Sequence, residues 1–313
     1  MVKMGNETNV EEFILEGFPA DQHLGNLLFV VFLPLYLVSI IGNTVIITTV
    51  CMDHRLQIPM YLFLGGFSFL ECCFTTSVIP KLLAIFLSGM QTISFAACLT
   101  QAFVFLSLGV SGFFLMAVMS MDRYMAICNP LHYHTIMTMR VCFLLILFCY
   151  SMGIVITTSV VVKVSQQSYC GPNIIKHFLC DLGPLTQLSC SDTRFVESLA
   201  FFLALFIILF SLVVTIICYI KITVTIMHLP SAKERQKAFS TCSSHLIVLF
   251  LMYGSCIFIY IKPNQDNKLD TNREAALMNT VVTPVLNPFI YTLRNKQFRL
   301  ALRDVIYKIK LLR

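Results

Sequence analysis

The sequence predicts an all-α membrane protein: a bundle of seven transmembrane helices with a short amphipathic C-terminal helix on the inner leaflet. Three observations predict it. Charged residues make up 12% of the 313-residue chain against 57% hydrophobic, and a soluble fold could not cover its surface with so few charges. Seven apolar stretches each reach the roughly 20 residues that cross a hydrocarbon core. Lys and Arg gather on alternate connections. With a mean hydropathy of +0.81, the chain is not a disordered chain, a collagen, a coiled coil or a soluble cytosolic enzyme.

Residues 1–24 read as an extracellular N-terminal tail. Met1 to Asp21 is polar and acidic and lacks a cleavable signal pattern, so the first span is expected to act as its own insertion signal. Asn6-Glu7-Thr8 is a glycosylation sequon, usable at Asn6 only on the outer face. The spans fall at 25–51, 58–86, 95–128, 140–162, 195–227, 236–261 and 274–293, and together form one domain over 25–293. The third, fifth and sixth have amphipathic ends and are expected to project beyond the bilayer. Residues 294–313 are a cytoplasmic tail. In it, Lys296 to Lys310 sets Phe298, Leu302, Val305, Ile306 and Ile309 among basic residues, as in a helix lying on a leaflet. No cysteine follows Cys256, which excludes a palmitoyl anchor in this tail.

Orientation follows from charge. With the N-terminus outside, 14 of the 22 Lys and Arg lie on the cytoplasmic side. The acids there are only Asp53, Asp122, Glu234 and Asp304. The net charge of +6 therefore reports topology in a membrane protein and not a nucleic-acid partner.

Polar groups inside a membrane helix are costly, so Asn43, Glu71, the Asp122-Arg123 pair and Asn287 each call for an explanation. Glu71 is the one acid deep in an apolar stretch. It is either part of a packing network with Asn43 and Asn287 or an element whose contacts differ between two states. The thirteen cysteines show no CxxC spacing, and most read as small buried hydrophobes. Cys170, Cys180 and Cys190 share one polar outer segment, with Cys98 at the same side. Four cysteines allow three connectivities, which spacing alone leaves open. His177-Phe178-Leu179-Cys180-Asp181 has the look of a metal site, but a disulfide at Cys180 would leave no thiolate to bind one, so no metal or other cofactor is expected.

The third span closes with Met116-Ala117-Val118-Met119-Ser120-Met121-Asp122-Arg123-Tyr124-Met125-Ala126-Ile127-Cys128-Asn129-Pro130-Leu131. Gly42-Asn43, Pro59-Met60-Tyr61-Leu62-Phe63-Leu64 and Lys237-Ala238-Phe239-Ser240-Thr241-Cys242-Ser243-Ser244-His245 occur in the first, second and sixth spans. Tyr253-Gly254 follows, and Pro284-Val285-Leu286-Asn287-Pro288-Phe289-Ile290-Tyr291-Thr292-Leu293-Arg294-Asn295 ends the seventh. In this order, over nearly the whole chain, they make the sequence similar to the rhodopsin-like G-protein-coupled receptors, and more narrowly to tetrapod-type odorant receptors.

The resemblance implies a receptor without covalent chemistry, with a small volatile odorant and a stimulatory, olfactory-type heterotrimeric G protein as partners and cyclic AMP as the output. It implies that Asp122 and Arg123 form an ion pair that opens to free Arg123 for the G protein, Tyr219 and Tyr291. Tyr124, His245, Asn287 and Pro288 belong to the same switch. Pro284 and Pro288 each delete a backbone hydrogen bond, so the seventh span can bend there. The resemblance pairs Cys98 with Cys180 and Cys170 with Cys190. It sets the ligand between the outer halves of four spans. The third would contribute Phe105, Leu106, Gly109 and Val110, and the fifth Leu203, Ala204 and Ile207. The sixth would contribute Cys256, Ile257 and Tyr260, and the seventh Leu277 and Thr280. No carboxylate occurs between Leu99 and Met121, which disfavours an amine and suits a neutral, largely apolar ligand.

The chain departs from the family pattern at four places. Glu71 replaces the common Asp, Gly112 a Glu of the third span, and Cys218 a Ser. A Trp of the fourth span is absent, with Tyr150 near its place. Without an acid at Gly112, an intramembrane sodium site is in doubt. A receptor for a metabolite outside the nose is the nearest alternative function. A channel would need a line of polar groups, and an intramembrane hydrolase paired acids or a nucleophile beside His245; neither pattern occurs.

Overall fold

An apolar run of this length can satisfy its backbone in lipid only by closing each N–H to C=O bond within the run, so each becomes a helix. A computed structural model describes residues 10–17, 22–170, 172–261, 276–294 and 296–311. The first six spans are the helices Gln22–Met52, Pro59–Ser88, Phe95–Cys128, Met139–Ser165, Arg194–Met227 and Ala232–Ile261. The first five are long and apolar enough to cross a membrane, while the sixth carries a shorter apolar run, Cys242–Cys256. The third and fifth have 34 residues each. At about 1.5 Å per residue, each exceeds a hydrocarbon core of ~30 Å.

Local chemistry sets the ends. Pro59 opens the second span in the first helical turn, where its missing N–H costs nothing, and Gly89 closes it at φ 65° with its N–H on Ile85 O. Ser94 and Thr138 cap the third and fourth spans by accepting from Ala97 N and Val141 N. The seventh span is α-helical at Ala276 and Leu277, passes through a π turn, Met278–Val282, and continues as the α-helix Thr283–Arg294. The wide turn falls just ahead of Pro284, whose ring would otherwise meet the carbonyl four residues before it. Thr283 Oγ1 closes that turn by donating to Met278 O at 3.1 Å.

The fourth and fifth spans turn large apolar side chains outward, among them Phe148 at 55%, Phe202 at 65% and Phe206 at 60% exposure. Such a surface suits lipid, not water.

Two features were not legible as elements in the sequence. The tail before the first span holds a strand, β1 (Glu12–Leu15), central in a three-stranded sheet. It runs antiparallel to β2 (Thr92–Ser94), pairing Phe13 with Ile93, and parallel to β3 (Ile174–Ile175), pairing Ile14 with Ile174. Phe13 and Leu15 are fully buried, and Phe13 meets Phe95 and Tyr169 with ring centres 5.9 and 5.7 Å apart. At the opposite end of the bundle, a seven-residue helix, Pro130–Ile136, fills the connection between the third and fourth spans.

The C-terminal helix, Lys296–Leu311, lies beside that end. Its predicted apolar face is divided. Phe298 packs with Ala301 into a cluster with Ile46, Val50, Leu56, Tyr61 and Leu64, and Leu302 borders it, while Ile306 points outward with Leu300 and Tyr307. Arg55 bridges Asp53 at 2.6 Å and Asp304 at 2.7 Å, and Gln297 Nε2 donates to Arg55 O.

Candidate functional site

At the Arg123 end, the last turns of the third span carry Asp122 and Arg123, 1% and 9% exposed and paired with each other. Arg123 Nη1 also lies 2.9 Å from Met60 Sδ on the second span. Asp122 is held from a second side: Tyr133, on the helix Pro130–Ile136, donates its hydroxyl to Asp122 Oδ1 at 2.7 Å. Burial, and then the Asp122 charge, push the Tyr133 phenol well above its ordinary pKa, so it stays a donor.

Tyr219 on the fifth span meets His245 on the sixth, with the hydroxyl 2.6 Å from Nδ1. Ile222, Ile226 and Cys242 pack between the same helices, bordered by Tyr124, Tyr219 and Cys128. Cys128 Sγ lies 3.2 Å from Thr225 Oγ1. Among the described residues, the buried Tyr291 hydroxyl has no hydrogen-bond partner. Pro288 rests on the first span so closely that a Cβ on Gly42 would sit 2.9 Å from its own Cβ.

In mid-bundle, Asn287 Nδ2 donates to Glu71 Oε1. Asn43 joins Asn287 as a side-chain hydrogen-bond partner of Glu71. Its amide donates to Ser39 O at 3.0 Å and Pro284 O at 3.2 Å, tying the first span to the bend of the seventh. Among the described residues, Asn43 Oδ1 and Asn287 Oδ1 are buried without a hydrogen-bond partner.

Toward the sheet end, the expected lining residues distribute over three apolar clusters. Leu106 and Leu203 border one, Val110 and Ile207 belong to a second with Tyr253, and Phe105 and Leu277 border a third. Phe105 stacks on Phe74 with ring centres 4.6 Å apart, and Gly109 faces the same ring. Ala204 and Cys256 are half-buried. Thr280 is fully buried, and its hydroxyl donates to Ala276 O of its own helix. The side chains of Ile257 and Tyr260 lie outside the described set, as does Asn6.

Sequence reading missed two polar contacts here. Ser255 Oγ donates to Asn279 Oδ1 at 2.7 Å, joining the sixth span to the π turn of the seventh. Gln101 donates to Ser77 O at 2.9 Å and accepts from Cys180 N at 3.0 Å, joining the second and third spans to the loop above. Neither residue lies in a recognisable string, so only the packing reveals them.

Cys98 is bonded to Cys180, with Cα atoms 5.4 Å apart, and Cys170 to Cys190, at 5.7 Å. The first bond fastens the loop that carries β3 to the top of the third span. His177 Nδ1 accepts from Leu179 N, a local turn contact.

Residues 32–310 match the olfactory receptor family. Mouse olfactory receptor 6E1 is 50% identical over 308 residues, which are 98% of each chain. Human olfactory receptor 6C2 is 47% identical over 309 residues, 99% of each chain. The fold is similar to the crystal structure of squid rhodopsin, with a TM-score of 0.73 at 17% identity over 92% of this chain and 82% of that one. The chain therefore belongs to the olfactory receptor family: it is a multi-pass plasma-membrane odorant receptor of rhodopsin-like fold that signals through a G protein and is not an enzyme.

Proposed function

We propose that this receptor binds a small, neutral, mostly apolar volatile between the third, fifth, sixth and seventh spans and activates a stimulatory, olfactory-type G protein, raising cyclic AMP. The ligand would lie among Phe105, Leu106, Gly109 and Val110 of the third span and Leu203, Ala204 and Ile207 of the fifth. Cys256, Ile257 and Tyr260 of the sixth span and Leu277 and Thr280 of the seventh would complete the site. Support comes from the three clusters that bring third-span side chains against the fifth and seventh spans. The sheet end faces outward, with residues 1–24 and a glycan on Asn6 outside, and the Arg123 end and residues 294–313 face the cytoplasm.

The observation that carries the mechanism is the closed set of contacts at the Arg123 end: Asp122 with Arg123, and Tyr219 with His245. A ligand that binds an open state more tightly shifts the population toward it. In that state Asp122 gives up Arg123, and Tyr124, Tyr219, His245 and Tyr291 rearrange around it. The bend at Pro288, held by Asn43, Glu71 and Asn287, lets the seventh span follow. The exposed face of the C-terminal helix, with Leu300, Ile306 and Tyr307, rests on the inner leaflet.

Cyclic AMP in cells co-expressing such a G protein, screened with a volatile panel, tests the proposal. A ligand response in wild type that is lost in an equally displayed Arg123→Ala is expected. A response that survives in Arg123→Ala would overturn the assigned switch.

A further inference from the structure

A polar group within a membrane span is costly unless it finds a partner, so each hydroxyl near the ligand site can be followed to where its proton goes. Thr280 on the seventh span donates to Ala276 O, and Ser111 on the third to Ser107 O at 2.7 Å. Ser211 on the fifth span donates to Ile208 O at 3.1 Å. All three hydroxyls are closed onto their own helices, and none of these residues is more than 1% exposed. Neither their protons nor their lone pairs are open to a ligand.

Asn279 is placed differently. It lies in the π turn Met278–Val282, between Leu277 and Thr280, and is half-buried. Wide turns of this kind recur at functional sites. Its side chain reaches the sixth span, where Ser255, the half-buried neighbour of Cys256, sets Oγ 2.7 Å from Asn279 Oδ1. The Ser255 hydroxyl has one proton and two acceptors in reach, Asn279 Oδ1 and Met252 O at 2.9 Å. A proton spent on Met252 would leave two lone-pair-bearing oxygens facing each other at 2.7 Å, which is repulsive, so Asn279 takes it. That choice fixes the amide: Oδ1 faces the sixth span and Nδ2 the other way. Among the described residues, Nδ2 donates to no acceptor. It is a neutral donor held in one direction and only partly covered.

We propose that Asn279 determines ligand specificity: its amide N–H donates to a carbonyl oxygen of the odorant, and Ser255 sets the direction of that donor. The proposal rests on the ligand site between the third, fifth, sixth and seventh spans and names the chemistry that site selects. An aldehyde, ketone or ester accepts the amide proton, brings none of its own and carries no charge. An alcohol also accepts, but its own proton then meets hydroxyls already spent and covered. A hydrocarbon leaves the amide unpaired, which costs the full desolvation of the donor.

Matched sets of volatiles, each an aldehyde, a methyl ketone, an alcohol and an alkene on one carbon skeleton, test this through cyclic AMP divided by surface-labelled receptor. Wild type, Asn279→Leu, Asn279→Ala, Ser255→Ala, Leu106→Ala and Ile207→Ala are compared. Wild type is expected to answer the carbonyl members at midpoints about tenfold below the alcohol and the alkene, the scale of one neutral hydrogen bond made or left unmade. Asn279→Leu and Asn279→Ala should each raise the carbonyl midpoints about tenfold and leave the alkene where it was. Ser255→Ala lets the amide turn, so the preference for carbonyl over alcohol should shrink. An equal shift for all four compounds would show a structural role and overturn the proposal. Unchanged carbonyl midpoints, a loss confined to the alcohol, or a displayed wild type that answers no carbonyl member would overturn it too. If Leu106→Ala and Ile207→Ala leave every midpoint unaltered, the placement of the ligand falls and the proposal with it. If they shift the midpoints and the Asn279 variants do not, the proposal alone fails.

Discussion

Gly153 on the fourth span leaves no room for a single added carbon. A Cβ there would overlap Ser111 Oγ and Ser107 O on the third span, and Ser111 is itself tied to Ser107 O at 2.7 Å. Gly153→Ala should cost ~1–3 kcal/mol, read as a lower melting temperature of the detergent-solubilised receptor. Gly112 is the opposite case, because the nearest atoms to a Cβ there are methyl groups of Leu70 and Met252 at 3.9 Å. The space beside this departure from the family pattern is therefore apolar, and Gly112→Ala should be tolerated. Glu71 needs its shape more than its charge. Glu71→Gln keeps an oxygen for Asn287 Nδ2 and offers an amide to the unpartnered oxygens nearby, so display should stay within about twofold of wild type. Glu71→Leu leaves the Asn287 amide buried and unpaired, at ~1–3 kcal/mol. Motif strings made Asp122, Arg123, His245 and Asn287 legible in the sequence. The backbone partners of Asn43 were not legible, because a backbone carbonyl across the bundle leaves no mark on a side-chain pattern.

At the scale of elements, the spans were readable because hydropathy and helix length are both local quantities. The C-terminal helix was readable as amphipathic, but its apolar residues serve two surfaces that a single periodicity does not separate. Its attachment has an apolar part and an ionic part of unequal weight. Phe298 is fully buried, so Phe298→Ala should cost ~3–5 kcal/mol and release the helix, seen as faster amide hydrogen exchange across residues 296–311. The Arg55 side chain is half exposed where it bridges Asp53 and Asp304. Water screens such pairs, so Arg55→Ala should leave the exchange pattern nearly unchanged and shift only the salt dependence. The same asymmetry explains why the sheet escaped sequence reading. Four residues with three consecutive apolar positions, Phe13-Ile14-Leu15, between acids are too short a signal, and the partners of β1 lie in other loops.

For the whole molecule, the covalent ties close loops of different size: 82 residues between Cys98 and Cys180, and 20 between Cys170 and Cys190. Chain entropy alone values them at roughly 4.5 and 3 kcal/mol. Cys98→Ser should therefore lower surface display more than the joint change Cys170→Ser with Cys190→Ser, measured by antibody labelling of intact cells. The longer tie also holds β3 within reach of β1, and that has a consequence for how the receptor is made. Ile14 is synthesised early, yet its partner Ile174 emerges about 160 residues later. β2 emerges about halfway through that stretch, but at about 5–20 residues per second translation leaves the β3 side of this first strand open for roughly 8–30 s. During that interval the nascent chain presents an aggregation-prone strand edge. Escort during biogenesis, before any odorant is met, is thus a requirement written into the topology of the outer sheet.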